Sequence, residues 1–88
     1  MKKKEKAAVA PFGVWLRAQV HRTDDVGRIA RRVVADEVDL RRPLRALEDR
    51  VNFAMYIRSL PRRVGIPEAS GRAAWKEWCA TLQQQEVR

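Results

Sequence analysis

Arginine is the residue type in this chain with the most capacity for chemistry. The sequence has 88 residues with 19 Lys+Arg against 11 Asp+Glu, a formal charge of +8. Fourteen of the nineteen cations are arginine. A guanidinium is permanently charged and presents a planar fork of donors that fits phosphate and carboxylate. Three arginines, Arg28, Arg31 and Arg32, lie within five residues. In a helix Arg28 and Arg32 are surface neighbours one turn apart. Arg41, Arg42 and Arg45 follow around Pro43, and Arg62-Arg63 form a later pair. Lys2, Lys3 and Lys4 open the chain. Such a surface favours polyanions or acidic protein surfaces. The competing reading is compositional: an arginine-rich habit that needs no ligand.

A second cluster carries the opposite sign. Asp36, Glu37 and Asp39 are nearly consecutive. Carboxylates so placed point in different directions at a helix end, with no fourth oxygen ligand or histidine nearby, so metal binding is not expected. Salt bridges to Arg41 and Arg42 are the expectation. The alternative is an acidic face for a protein partner.

Other reactive groups are sparse. His21 is the sole histidine and falls at a helix end, where its charge would suit the dipole. Ser59 and Ser70 have no second histidine to activate them. Cys79 is alone, between Trp78 and Ala80, and reads as a small apolar residue. No Cys/His set has metal spacing. An enzyme is therefore not expected, nor a cofactor.

These groups need elements to hold them, and every element reads as helix. Phe12, Trp15, Leu16 and Val20 make one apolar stripe; Val26, Ile29, Ala30, Val33 and Val34 make another. A polar break at residues 21–25 separates them, so the two helices must cover each other. Helix 1 is expected from Pro11 to His21. Asp24 should cap helix 2 by accepting from Val26 or Gly27 N–H, and that helix should run to about Glu37. Gly27 reads as a packing glycine that lets helix 1 approach. Leu40 is expected to tuck inside while Arg41 and Arg42 stay outside.

Beyond Pro43, Leu44, Leu47, Val51, Ala54 and Met55 form the expected main stripe, with Phe53, Ile57 and Leu60 as a second edge. This is one helix to Leu60, or two with a break near Asn52. Pro61 ends it. Residues 62–67 read as a loop, with Val64 and Ile66 covered by neighbouring helices. The last helix, from Pro67 or Ser70 to Gln85, carries Ala74, Trp75, Trp78, Cys79 and Leu82. Residues 1–10 read as a flexible basic arm and 11–88 as one helical domain. The fold class is all-α, a bundle of four to five short helices. No apolar run approaches the ~20 residues of a membrane span, and a cytoplasmic protein is expected.

The order Phe12-x-x-Trp15-Leu16-x-x-Gln19-x-x-Arg22-x-Asp24-x-Val26-Gly27-x-Ile29-Ala30-x-x-Val33-x-x-Asp36 resembles the opening of the YozE-type small bacterial proteins. Ala74-Trp75-x-x-Trp78 resembles the aromatic motif of that family's final helix. The resemblance implies a sterile-alpha-motif-like (SAM-like) bundle of four or five helices. It implies no particular activity, but domains of that shape commonly associate through complementary charged faces.

Two functions follow as expectations. The first is nucleic-acid binding with little sequence preference, through Arg28, Arg31, Arg32, Arg41, Arg42, Arg45, Arg62 and Arg63, aided by the lysine arm. The second is a protein-interaction adaptor, with Asp36, Glu37 and Asp39 opposing an arginine face in weak self-association, or an inhibitor of a partner protein.

Overall fold

The computed structural model describes residues 10–86, with side chains described through Leu82. The proposed lysine arm therefore lies outside the described residues, except for Ala10. Four α-helices follow in order: α1 (Phe12–Arg17), α2 (Asp25–Leu40), α3 (Arg50–Ser59) and α4 (Glu68–Glu86). Short 3-10 turns, Arg45–Leu47 and Arg62–Val64, precede α3 and α4. The protein is an all-α bundle, with no strand among the described residues.

Aromatic rings from both ends of the chain meet at its centre. Phe12 has its ring centroid 4.4 Å from Trp75, 4.7 Å from Phe53 and 5.6 Å from Trp78. These tilted and edge-on geometries let positive ring edges meet negative faces. Leu16, Ile29, Ala30 and Val33 close the other side of the core, all fully buried. Trp78 Nε1 donates to the Ala10 carbonyl at 2.8 Å. The chain is thus already tied to α4 at Ala10, one residue inside the expected arm.

The α1–α2 corner is built by the motif residues themselves. α1 ends earlier than the apolar spacing predicts, at Arg17, and residues 18–21 continue as turns. Asp24 caps α2 by accepting from Gly27 N–H at 3.2 Å. A Cβ on Gly27 would lie 2.1 Å from the Arg22 carbonyl oxygen. Only glycine lets the incoming chain pass so close. The expected close approach is real, but it is made by the turn backbone rather than by α1.

α2 runs three residues beyond Glu37 and ends on Arg41, which takes the left-handed conformation (φ 59°) that usually falls to glycine. The extra turn carries Leu40 out to 49% exposure. This overturns its expected place in the core.

The middle segment breaks in two, at Glu48-Asp49 rather than near Asn52. Asp49 caps α3 by accepting from Asn52 N–H at 2.8 Å. The expected facing of α3 is reversed: Phe53 and Ile57 are buried, while Val51 and Met55 are 66% and 58% exposed. Both pairs have helical spacing, so period alone does not choose between them. Close packing of α4 chooses. Gly71 of α4 sits against Ile57, where a Cβ would lie 2.9 Å from Ile57 Cγ1. Val64 and Ile66 are half-buried, in line with their expected cover.

Candidate nucleic-acid interface

The expected arginine strip on α2 is engaged within the fold. Arg28 Nη2 donates to the Val64 carbonyl at 2.7 Å, and Nη1 pairs with Asp25 at 3.2 Å. It fastens α2 to the turn before α4. Arg31 Nη1 donates to the carbonyls of Val20 and Arg22, at 2.8 and 2.6 Å. It closes the α1–α2 corner, whose carbonyls have no helical partner. Arg32 Nη2 pairs with Asp36 at 2.9 Å, one helical turn on, and its buried Nε has no partner. These three guanidinium groups are positioned by protein acceptors.

The acidic cluster is engaged in the same way, but with other partners than expected. Glu37 accepts from Arg17 Nε and Nη2, at 2.9 and 2.6 Å, and from Leu44 N–H at 2.7 Å. Its carboxylate, only 15% exposed, joins α1, α2 and the α2–α3 connection. The Arg17 guanidinium first, helped by the Leu44 N–H, holds its carboxyl below the ordinary value of 4.5 against the cost of burial. Asp36 accepts from the Tyr56 hydroxyl at 2.6 Å. Burial of that phenol, then its bond to Asp36, pushes its pKa far above the ordinary tyrosine range. The expected salt bridges to Arg41 and Arg42 are thus replaced by bonds to Arg17 and Arg32. Arg17 is a partner the linear sequence concealed, lying 20 residues from Glu37. Of the three acidic residues only Asp39 is exposed and without an ion pair among the described residues.

A further pair joins distant segments. Arg22 forks onto Asp24 and onto Glu77 of α4, reaching Glu77 Oε2 at 2.6 Å. Arg22 belongs to the α1–α2 motif and Glu77 to the tryptophan motif of α4, so the bond connects the two. Arg58 and Arg72 both approach Glu68, at 3.1 and 3.9 Å.

What remains open is a set of cations at the two ends of α2. Arg41, Arg42 and Arg45 lie in the connection after α2, and Arg50 opens α3 beside them. All four are exposed and form no ion pair among the described residues. Arg62 and Arg63 are likewise exposed and unpaired, in the turn that Arg28 fastens to the start of α2. The α2 axis between the two groups is roughly 24 Å long, at 1.5 Å per residue. The structure therefore divides the expected site. Arg28, Arg31 and Arg32 hold the fold, and Arg41, Arg42, Arg45, Arg62 and Arg63 face outward. Arg50, exposed at the start of α3, joins them.

Among the described residues no three of His, Cys, Asp and Glu come together as a metal site, and no helix is long and apolar enough to cross a membrane. His21 is exposed, and Cys79 is half-buried on α4. No protein-family model, curated protein or solved structure matches this chain.

Proposed function

We propose that the protein is a non-enzymatic module that binds nucleic acid through phosphate contacts, with little preference for base sequence. The observation that carries this reading is the exposed, uncompensated arginine at both ends of α2. Three of the neighbouring carboxylates are engaged elsewhere, since Glu37 holds Arg17, Asp36 holds Arg32 and Glu68 holds Arg58; Asp39 and Glu48 are exposed but too few to neutralise the six open arginines. A separation of roughly 24 Å corresponds to about seven base-pair steps of 3.4 Å. A duplex lying along α2 would meet Arg41, Arg42 and Arg45 with one segment and Arg62 and Arg63 with another. The lysines of residues 2–4 add charge to the same polyanion. The aromatic rings are packed on each other, which favours backbone contacts over base stacking. YozE-type kinship is part of this proposal. The residues of its opening motif form the α1–α2 corner through Asp24, Gly27 and Arg22.

The test is a mobility shift of a 25-base-pair duplex over a salt series. Affinity should fall with salt at a log–log slope of about −0.9 per phosphate contact. The R42E/R45E and R62E/R63E variants should each reduce the magnitude of that slope by roughly 2, and together should abolish binding at physiological salt. Charge reversal of Arg28, Arg31 and Arg32 is unsuitable, because those groups hold the fold. Binding that is indifferent to salt, or unchanged in both double variants, refutes the proposal.

A further inference from the structure

A groove of about 1000 Å³ runs between α3 and α4 on the side of the molecule left open by the reversed facing of α3. Its floor includes Val51, Ala54, Met55, Trp75 and Cys79. Val51 and Met55 are 66% and 58% exposed, which is unusual for residues so apolar and so close together. They are four apart on α3 and so share one face. α3 and α4 run antiparallel here, since Ile57 meets Gly71 and Phe53 meets Trp75.

Both banks of the groove are basic. Arg50 and Arg58 stand on the α3 bank, Arg72 and Lys76 on the α4 bank. The single anion, Glu68, lies at one end, where it pairs with Arg58 and Arg72. Arg50 and Lys76 are without an ion pair among the described residues. They lie towards the opposite end from Glu68. The groove thus has an apolar floor, cations on both sides and its strongest uncompensated charge at one end.

We infer that this groove docks an acidic amphipathic helix from a partner protein. Such a helix would place apolar residues at i, i+4 and i+7 on Val51, Met55 and Trp75, and carboxylates towards Arg50, Arg72 and Lys76. From Glu68 to Cys79, α4 offers roughly 17 Å, or about three turns of a docked helix. Charge complementarity selects this occupant over the nearer ones. The chain's own first nine residues carry four lysines against one glutamate, so the basic banks repel them. A second copy is disfavoured by the chain's overall charge of +8: the exposed apolar residues of its α2, Val34, Val38 and Leu40, offer only Asp39 as an unpaired carboxylate and adjoin Arg41-Arg42. The inference does not rest on nucleic-acid binding: Arg50 alone belongs to both cation sets, and Arg58, Arg72 and Lys76 belong only to the groove.

The probe is a synthetic amphipathic peptide of about 18 residues, long enough to form helix, with a leucine stripe flanked by glutamates. Its control has the same leucines and lysine in place of each glutamate. Binding to the full chain is followed by NMR through the Met55 methyl and the backbone amides. The glutamate peptide should bind at least tenfold more tightly than the lysine peptide, with shifts centred on Val51, Met55 and Lys76. The V51E/M55E variant changes only exposed side chains. It should keep its circular dichroism spectrum and its duplex binding while losing at least tenfold in peptide affinity; K76E should lose affinity without any change at the floor. Equal binding of both peptides, shifts centred on Arg41–Arg45, or unchanged affinity in V51E/M55E overturns the inference. So does a duplex, or a fatty-acid anion such as dodecanoate, that alone shifts Met55.

Discussion

Glu37 separates a structural from an interfacial role most sharply, because its type and position suit both. An adaptor would present it to a partner; the structure seats it on Arg17 and the Leu44 N–H. Replacing it with alanine removes three acceptor contacts. Arg17 is 33% exposed and can turn to water, so its pairing contributes only about 0.5 kcal/mol, as for surface pairs. The part-buried Leu44 N–H has no such freedom, and losing a charged acceptor there costs about 2 kcal/mol. The sum, about 2.5 kcal/mol, predicts a fall in Tm of roughly 10–20 °C for a domain of this size. Chemical denaturation at neutral pH measures the free energy directly.

The pH dependence provides a second readout of the same residue. The folded-state pKa of Glu37 lies below its ordinary 4.5. Its stabilisation is therefore fully present above about pH 4.5 and is lost as pH falls through the lower folded value. Glu37→Gln keeps the shape and removes the titration. It should flatten the acid limb of the stability curve between pH 4.5 and the folded value, while costing roughly 1 kcal/mol at pH 7. A double-mutant cycle with Arg17→Ala isolates the pair term. An E37A protein within 0.5 kcal/mol of the parent would refute the structural role. Were that protein also to lose self-association, the carboxylate would belong to an interface.

Three further perturbations follow from the geometry. Gly71→Ala places a methyl 2.9 Å from Ile57 Cγ1, part of a β-branched core side chain with little room to retreat, and should cost about 1–3 kcal/mol by urea denaturation; a neutral outcome would mean α3 and α4 are not so closely packed. Arg41→Gly removes a side chain from the left-handed position that ends α2 and should raise stability by about 0.5–1 kcal/mol, with a drop in Tm counting against that backbone geometry. Tyr56→Phe deletes the donor to Asp36 and should cost about 1 kcal/mol, which a thermal melt resolves; an unchanged melt would mean the hydroxyl bond adds nothing.

Much of this organisation was legible in local signals. The apolar spacing of Phe12, Leu16, Ile29, Ala30 and Val33 named core residues, because a helix brings residues three and four apart onto one face. Asp24 named the start of α2, because a capping carboxylate acts on the N–H groups immediately after it. Trp75 and Trp78 were readable as rings facing the core for the same reason of spacing; they are half-buried, and Phe12 meets them both. Local rules failed where two answers shared one period. Val51-Met55 and Phe53-Ile57 are equally helical, and only contacts from other helices, Gly71 against Ile57 and Phe12 against Phe53, determine which pair turns inward.

The arginines mark the same boundary most clearly. Composition alone established that positive charge would dominate the exterior, since fourteen guanidinium groups exceed the carboxylates available. Which of them remain open was decided only by the fold. Arg17 meets Glu37 across 20 residues, Arg22 meets Glu77 across 55, and Arg28 meets the Val64 carbonyl across 36. Pairings at such separations depend on how helices cross, not on neighbours in the chain. The amino-acid sequence by itself therefore determined that the chain is helical, the Asp24 cap of α2 and the sign of the surface. Tertiary packing decided which charges are joined and which apolar face of α3 is left uncovered.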